Sequence, residues 1–284
     1  MAPDPAARLR AARGFILDMD GTLVLGDRHN HGLKPLPGAL EFTRWLTAHG
    51  LPYTIFTNGT TRPPRGYAEE LRAAGFELPD GALMTPVSSA ADLFRRRGYR
   101  RVLALGGAGL TGPLREAGFE VVPPAGQPVA DAVLVGWYRE FTMDSLEAAC
   151  HAVWRGAGLY SASQAVFFAT AQGRALGTSR AISAMISSLT GRRTQVVGKP
   201  SAHALHGAAH RLGVPVEALA VVGDDPELEV SMAHRGGALA VAVATGLAGA
   251  EAFARLPEPR RPHLMLGGVD ELLARCRAAY REEP

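Results

Sequence analysis

Cysteine is nearly missing. Cys150 and Cys276 are the only two in 284 residues, far apart and in no metal-like spacing. That excludes a disulfide framework and favours a cytoplasmic enzyme. Lysine is scarce as well. Of 30 basic residues only Lys34 and Lys199 are lysines, so arginine serves wherever a generic positive charge suffices. A lysine kept against that bias is a candidate for work that needs a compact ammonium group. An excess of one charge is also lacking. The formal net charge is +3, with acids and bases mixed throughout, too little to argue for a nucleic-acid partner. No stretch approaches the roughly 18 uncharged apolar residues of a membrane span, so no membrane partner is expected. The N-terminus, Met1 to Arg13, is rich in Ala, Arg and Pro. Without the apolar centre of a secretory signal it reads as a short tail. Neither a Walker-type phosphate loop nor a Gly-x-Ser-x-Gly elbow occurs.

What is present is alternation. Apolar residues make up 47% of the chain, ordinary for a globular protein, and the length allows one large or two modest domains. Short apolar runs predict strands at Phe15–Leu17, Tyr53–Phe56, Val102–Leu105, Ala132–Val135, Gln195–Val197, Leu219–Val222 and Ala238–Val243. Between them, helical periodicity marks Pro37–His49, Arg65–Ala74, Ser88–Arg97, Ser145–Arg155, Ser201–Leu212 and Glu227–Arg235. Thr142 to Ser145 offers capping side chains, and Gly75, Gly98, Gly118 and Gly213 follow helical stretches as C-caps do. The alternation predicts an α/β fold with parallel sheets. Ligands of such folds gather beyond the carboxyl ends of the strands. Four strand ends carry polar residues: Asp18-Met19-Asp20-Gly21-Thr22, Thr57-Asn58-Gly59-Thr60, Gly198-Lys199-Pro200 and Gly223-Asp224-Asp225. The first two lie early and the last two late. The expected architecture is therefore a doubly wound parallel-sheet core, residues 1–84 and 191–284, interrupted by an inserted α/β cap, residues 85–190.

The four strand ends complement one another chemically. Asp18 and Asp20, two residues apart after a strand, can project into one crevice. One carboxylate can attack phosphorus and the other can protonate the leaving oxygen. Two anions alone would repel a phosphate, so the site needs a cation, and oxygen ligands suit Mg²⁺. Asp224 can supply another ligand, and Lys199 can neutralise both phosphate and nucleophile. Thr57 can donate a hydroxyl, and the Asn58–Gly59 turn can offer main-chain N–H groups to phosphate oxygens. Each segment by itself is more often a plain turn. Their joint order and charge is what points to chemistry.

These segments resemble the four motifs of the haloacid dehalogenase superfamily. Asp18-Met19-Asp20-Gly21-Thr22 matches the first and most specific; Thr57-Asn58, Lys199 and Gly223-Asp224 resemble the second, third and fourth. Gly198 to Ser201 and the long insertion are similar to the NagD-like branch, which includes nucleotide, phosphoglycolate, glycerol-phosphate and pyridoxal-phosphate phosphatases. The resemblance implies that Asp18 is the nucleophile and a Mg²⁺ ligand. It implies that Asp20 is general acid and then general base, with its main-chain carbonyl on the metal. Thr57 and Asn58 would hold the phosphoryl group, Lys199 would position Asp18 and phosphate, and Asp224 would complete the protein's ligands. The substrate would be a small phosphorylated metabolite, and the caps of this family often pair, so a homodimer through residues 85–190 is expected. Two departures stand out. Glu229 occupies a place that usually holds Asp, and the sequence leaves open whether Glu229 or Asp225 fills that role. The cap stretch Ser161-Ala162-Ser163-Gln164 replaces a Thr-Asn-Pro-Asp type loop, so substrates do not transfer from better-known members.

Other patterns are weaker. Gly107 to Gly112 fits a dinucleotide-binding pattern, but it falls inside the insertion, and Asp131 is poorly placed as a ribose-binding acid. His203, His206 and His210 share one helix face without a Cys or acidic partner at zinc spacing. The run Arg95 to Arg101 reads as cations at a helix C-terminus capped by Gly98. His29 and His31 sit in a loop after the first motif. Trp137, Tyr138, Gln164, Arg174 and Arg180 are the cap residues expected to reach substrate. Two other functions use the same residues: phosphoryl transfer to an acceptor other than water, and non-catalytic binding of a phosphorylated ligand.

Overall fold

The computed structural model describes residues 4–27, 31–170, 173–246 and 248–280. After helix α1 (Pro5–Arg10), the chain forms strand β1 (Gly14–Leu17), the short hairpin β2 (Val24–Leu25) and β3 (Lys34–Pro35), then α2 (Ala39–Ala48), β4 (Tyr53–Phe56), α3 (Pro64–Ala73) and β5 (Leu83–Met84). A second unit follows: α4 (Pro86–Arg96), β6 (Arg101–Leu105), α5 (Ala108–Glu116), β7 (Glu120–Val122), β8 (Ala132–Val135), α6 (Met143–Trp154), β9 (Gly158–Ser161), the hairpin β10 (Phe167–Thr170) and β11 (Gly173–Leu176), α7 (Thr178–Thr190) and β12 (Gln195–Val196). The chain returns through α8 (Ala202–Leu212), β13 (Leu219–Gly223), α9 (Ser231–Gly236), β14 (Leu239–Val243), α10 (Ala250–Ala254), β15 (Leu264–Leu266) and α11 (Val269–Ala279).

Two parallel sheets result. The first runs β15-β14-β13-β1-β4-β5 and the second β12-β9-β8-β6-β7. Strands β1, β4, β13 and β14 are buried at every position, with no inside–outside alternation. That pattern belongs to parallel strands covered on both faces. Phe42, Leu46, Tyr67, Leu71 and Leu272 cover one face of the first sheet, and Ala204, Leu205, Val230 and Met232 belong to the cluster on the other. The second sheet is sandwiched in the same way, by Leu146, Ala149 and Ile182 on one side and Val87, Phe94 and Leu114 on the other.

Local signals act where the sequence places them. The Thr142 hydroxyl accepts from the Ser145 N–H at 3.2 Å and starts α6. Gly98 and Gly213 end α4 and α8 with φ of 70° and 65°, a left-handed conformation that costs a side-chain-free residue least. Two expectations differ from the structure. The expected cap ends at residue 190, yet β12 pairs with β9 of the second sheet and covers what would otherwise be its edge. The expected helix Glu227–Arg235 is broken: Pro226–Val230 forms a π-helical turn before α9 begins. Such turns often re-aim a side chain at a functional site, and this one aims Glu229.

Candidate active site

The sheet order makes β13, β1 and β4 neighbours, with Leu17 opposite Val222 and Ile55. The residues that leave these three strand tips therefore emerge side by side: Asp224 beyond β13, Asp18 beyond β1 and Thr57 beyond β4. Lys199 arrives on the segment between β12 and α8. Together they line a cavity of ≈ 90 Å³, with Asp20, Asn58 and Gly59. The second unit supplies the opposite wall, through Trp137, Ser163, Phe167 and Gly177.

Lys199 lies at the centre, 1% exposed. Its ammonium pairs with Asp18 Oδ1 and, at 2.7 Å, with Glu229 Oε1. Burial alone would drive the ammonium to lose its proton, but the two carboxylates outweigh it and lift its pKa above the ordinary value. Glu229 is pushed well above the usual carboxylate range, first by burial and then by Asp18, Asp224 and Asp225, against the pull of Lys199. One ammonium is thus shared by two acids. The other oxygen of Asp18 accepts from the Thr22 hydroxyl at 3.1 Å. Both oxygens of Asp18 are therefore oriented.

Asp20 is held separately. Its Oδ2 accepts from the Thr57 hydroxyl at 3.2 Å, and that hydroxyl accepts from the Gly59 N–H at 3.0 Å. Asn58 faces the Lys199 segment. Its Oδ1 accepts from the Lys199 N–H at 2.8 Å, and its Nδ2 donates to the Lys199 carbonyl at 3.1 Å and to Ser163 Oγ at 3.3 Å. The Asn58 side chain thus fixes Lys199 and joins it to the second unit. Tyr67, from α3, lines the same cavity beneath Gly59, where an added Cβ would overlap its hydroxyl. Burial, with Asp20 contributing, raises the phenol to about 12, so it stays neutral.

Asp224 is 4% exposed and sits against two backbone segments. A Cβ on Gly246 would overlap its carboxylate, and one on Gly223 would overlap the Glu229 side chain. Both acids need those glycines to reach their places. Five carboxylates line the cavity (Asp18, Asp20, Asp224, Asp225, Glu229) against the single ammonium of Lys199. Burial, with Asp18 contributing, also raises Asp225. Among the described residues no three His, Cys, Asp or Glu side chains are gathered as metal ligands. The cavity offers carboxylate oxygens in surroundings with surplus negative charge, and among the described residues no His or Cys lines it. That set fits Mg²⁺, which keeps several waters and takes only one or two carboxylates, and fits zinc poorly.

The comparisons with known proteins agree with this geometry. A family model described as haloacid dehalogenase-like hydrolase matches residues 15–120, and a second, HAD-hydrolase-like, matches residues 196–272. The first spans the strand tips of Asp18 and Thr57, the second those of Lys199 and Asp224. The chain belongs to the haloacid dehalogenase-like hydrolases. Within that family it is a NagD-like phosphatase. It is 26% identical over 263 residues to the ribonucleotide monophosphatase NagD of Escherichia coli, covering 92% of this chain and 98% of that one. It is 27% identical to an acid sugar phosphatase of Staphylococcus aureus over 84% of this chain and 89% of the other. The crystal structure of a 4-nitrophenylphosphatase from Thermotoga maritima superposes with a TM-score of 0.83 at 28% identity, covering 94% of this chain and 98% of that chain.

For this haloacid dehalogenase-like hydrolase, the structure brings Asp18, Asp20, Thr57, Asn58, Gly59, Lys199 and Asp224 to one cavity. Of the five cap residues singled out, Trp137 lines it too. Gln164 and Arg180 line an adjoining groove, and Gln164 Nε2 donates to Ser183 Oγ at 3.0 Å. Tyr138 packs into the core of the second unit, and Arg174 lies over the Phe167 ring, 4.6 Å from its centroid. The backbone N–H of Trp137 donates to the Thr60 hydroxyl at 2.8 Å, which ties the cap wall to the loop after β4. Gly109 explains the Gly-rich decoy: an added Cβ there would strike the backbone of Thr60 to Arg62, so it permits a close approach of α5. His206 and His210 are exposed. His29 lies outside the described residues. Sequence reasoning missed the roles of Thr22 and Tyr67. Thr22 had a signal, being part of the first motif; Tyr67 had none beyond a helical apolar position.

Proposed function

We propose that the chain is a magnesium-dependent phosphatase that hydrolyses a small phosphomonoester through an aspartyl-phosphate on Asp18. The observation that carries this reading is the fixing of two carboxylates by separate partners: Asp18 between Lys199 and Thr22, and Asp20 by Thr57. One acid held beside an ammonium suits a nucleophile. The second, two residues on and hydrogen-bonded to the neutral Thr57 hydroxyl, suits a group that gains and loses a proton.

An Asp18 carboxylate oxygen attacks phosphorus and the bond to the ester oxygen breaks. Asp20, as the acid, gives that oxygen its proton. Asp20 then takes a proton from water as the water attacks phosphorus, the bond to Asp18 breaks, and phosphate leaves. Lys199 holds Asp18 in place and offsets the charge that gathers when phosphate enters. A magnesium ion, held by the carboxylates of Asp18 and Asp224 and the Asp20 carbonyl, would supply positive charge to the phosphate oxygens. Thr57 and the Asn58–Gly59 backbone border the phosphoryl group. Asn58 serves by positioning Lys199. Trp137, Ser163 and Phe167 stand over the site and exclude water from it when the cap, residues 85–190 with β12, is closed.

The nucleotide and sugar substrates named for the relatives set the class to be screened, phosphorylated small metabolites. Release of inorganic phosphate from p-nitrophenyl phosphate, with and without Mg²⁺, tests the reading. Turnover that requires the metal and is lost in Asp18→Asn supports it. Folded protein inert towards a broad panel of phosphate esters would sink it. Transfer of the phosphoryl group to an added alcohol in place of water would identify a transferase.

A further inference from the structure

The loop from the end of β4 to the start of α3, residues 57 to 63, belongs to no helix or strand. It carries Thr57, whose hydroxyl holds Asp20, so the shape of this loop sets where Asp20 points. Among the described residues, no main-chain N–H from Asn58 to Arg62 donates to a main-chain carbonyl. Side-chain hydroxyls take that part. Thr57 Oγ1 accepts from the Gly59 N–H at 3.0 Å, and the Tyr67 hydroxyl accepts from the Thr61 N–H at 3.2 Å. The Tyr67 and Thr61 hydroxyls are hydrogen-bonded to each other as well, at 2.8 Å.

Tyr67 lies near the start of α3, in the apolar cluster with Phe42 and Leu71, and is fully buried. Phenylalanine would fill that volume equally well. A buried hydroxyl costs stability unless it is bonded, and the partners of this one are in the loop. The phenol reaches the catalytic cavity, where Asp20 is close enough to help raise it to about 12. Its contact with Gly59 is tight. A Cβ built on Gly59 would overlap the phenol oxygen and lie 3.1 Å from Thr57 Oγ1. The Gly59 backbone is thus clamped between two hydroxyl-bearing side chains. A shift of the phenol passes through Gly59 to Thr57, and from Thr57 to Asp20 Oδ2 at 3.2 Å. The opposite side of the loop meets the cap. Thr60 accepts the Trp137 N–H, and Gly109 leaves room for the backbone of Thr60 to Arg62. Those contacts belong to a unit that must open for substrate to enter. Tyr67 belongs to the same unit as Asp20, and its support stays with the acid.

We infer that Tyr67 is a positioning residue for the general acid: through Thr61, Gly59 and Thr57, its hydroxyl aims the Asp20 carboxyl at the ester oxygen. This rests on the phosphatase reading above and deepens it. In the first step an Asp18 oxygen bonds to phosphorus, the bond to the ester oxygen breaks, and the Asp20 proton goes to that oxygen. Tyr67 keeps its own proton throughout; its contribution is the placement of Asp20.

A misplaced acid harms poor leaving groups and spares good ones. The test therefore compares kcat/KM for p-nitrophenyl phosphate and phenyl phosphate, which share a ring and differ in how readily the phenolate leaves. This constant covers substrate capture and transfer to Asp18, the step in which Asp20 is the acid. A general acid contributes about 10²–10⁴-fold. In Tyr67→Phe, which keeps the ring in the core, the preference for the nitrophenyl ester should rise about tenfold or more over wild type, with p-nitrophenyl phosphate the less affected. Thr61→Val removes the partner of the phenol in the loop and should raise the preference in the same direction. The double variant should exceed the larger single effect little, because both substitutions break one network. A purely structural role would lower both esters in proportion. An unchanged preference in Tyr67→Phe overturns the proposal while the wild type still hydrolyses both esters. If Tyr67→Phe does not fold, an unchanged preference in Thr61→Val overturns it. Wild-type protein that hydrolyses neither ester overturns the phosphatase reading, and the role of Tyr67 with it.

Discussion

Asp18 and Glu229 share the ammonium of Lys199, and that sharing organises the centre of the site. Removing one partner of a buried ion pair typically costs about 3–5 kcal/mol, and the low end applies here because Asp18 still pairs with Lys199. Glu229→Ala is therefore expected to lower unfolding free energy by about 3 kcal/mol, measured by denaturant unfolding. Glu229→Gln, which keeps an acceptor for Lys199, should lose less. Equal losses would show that the cavity, not the pair, matters. Asp18→Asn should cut phosphate release at least about a thousandfold, as removal of a nucleophile does elsewhere. Its circular dichroism should remain that of the folded protein. The Glu at position 229 was visible in the sequence as a departure, but its partner was not. Its longer side chain lies across Gly223 and reaches Lys199 from a π-helical turn, and that turn has no signature in the apolar pattern.

At the scale of elements, loops are held to one another by a few polar contacts and by glycines that let backbone come close. Asn58 joins the tip of β4 to the Lys199 segment by two hydrogen bonds and to Ser163 by a third. Asn58→Ala should lower stability by about 1–3 kcal/mol, because a buried N–H and carbonyl lose their partners. Thermal denaturation reads this, and an unchanged midpoint would contradict it. Gly246→Ala pushes on the Asp224 carboxylate and should raise the Mg²⁺ concentration for half-maximal activity about tenfold or more. Gly249→Ala, where an added Cβ meets nothing within 4 Å, is the control. An identical metal requirement in both variants would argue against Asp224 as a ligand. The strands that matter were legible because β1 and β13 are apolar runs and β4 is one interrupted only by Thr54, each followed by polar residues. Strands β5, β7, β9 and β15 were not. They are short, or, like Gly158–Ser161, mix Gly, Tyr and Ser, and only the neighbouring strand makes them part of a sheet. The end of the insertion was misplaced for the same reason: nothing in Gln195–Val196 tells which sheet it joins.

For the whole molecule, the two sheets divide the labour, one presenting the strand tips and the other forming the facing wall. No helix among the described residues is long and apolar enough to cross a membrane. The large apolar side chains left exposed among the described residues lie between Val129 and Leu189, in the second unit. Leu176 and Leu189 are the more exposed examples around α7, at 65% and 57%. Pairing of two chains through this face would cover them. Sedimentation velocity should then find a dimer that Leu176→Asp with Leu189→Asp converts to monomer, and a monomeric wild type would refute the pairing. The central claim concerns covalent chemistry at Asp18, and trapping its product tests that most directly. Asp20→Asn removes the base that activates water, so brief exposure to p-nitrophenyl phosphate and Mg²⁺ should load the enzyme. After an acid quench, peptide mass spectrometry should find a phosphoryl group on Asp18. An unmodified Asp18 in protein that has released p-nitrophenol would contradict the account.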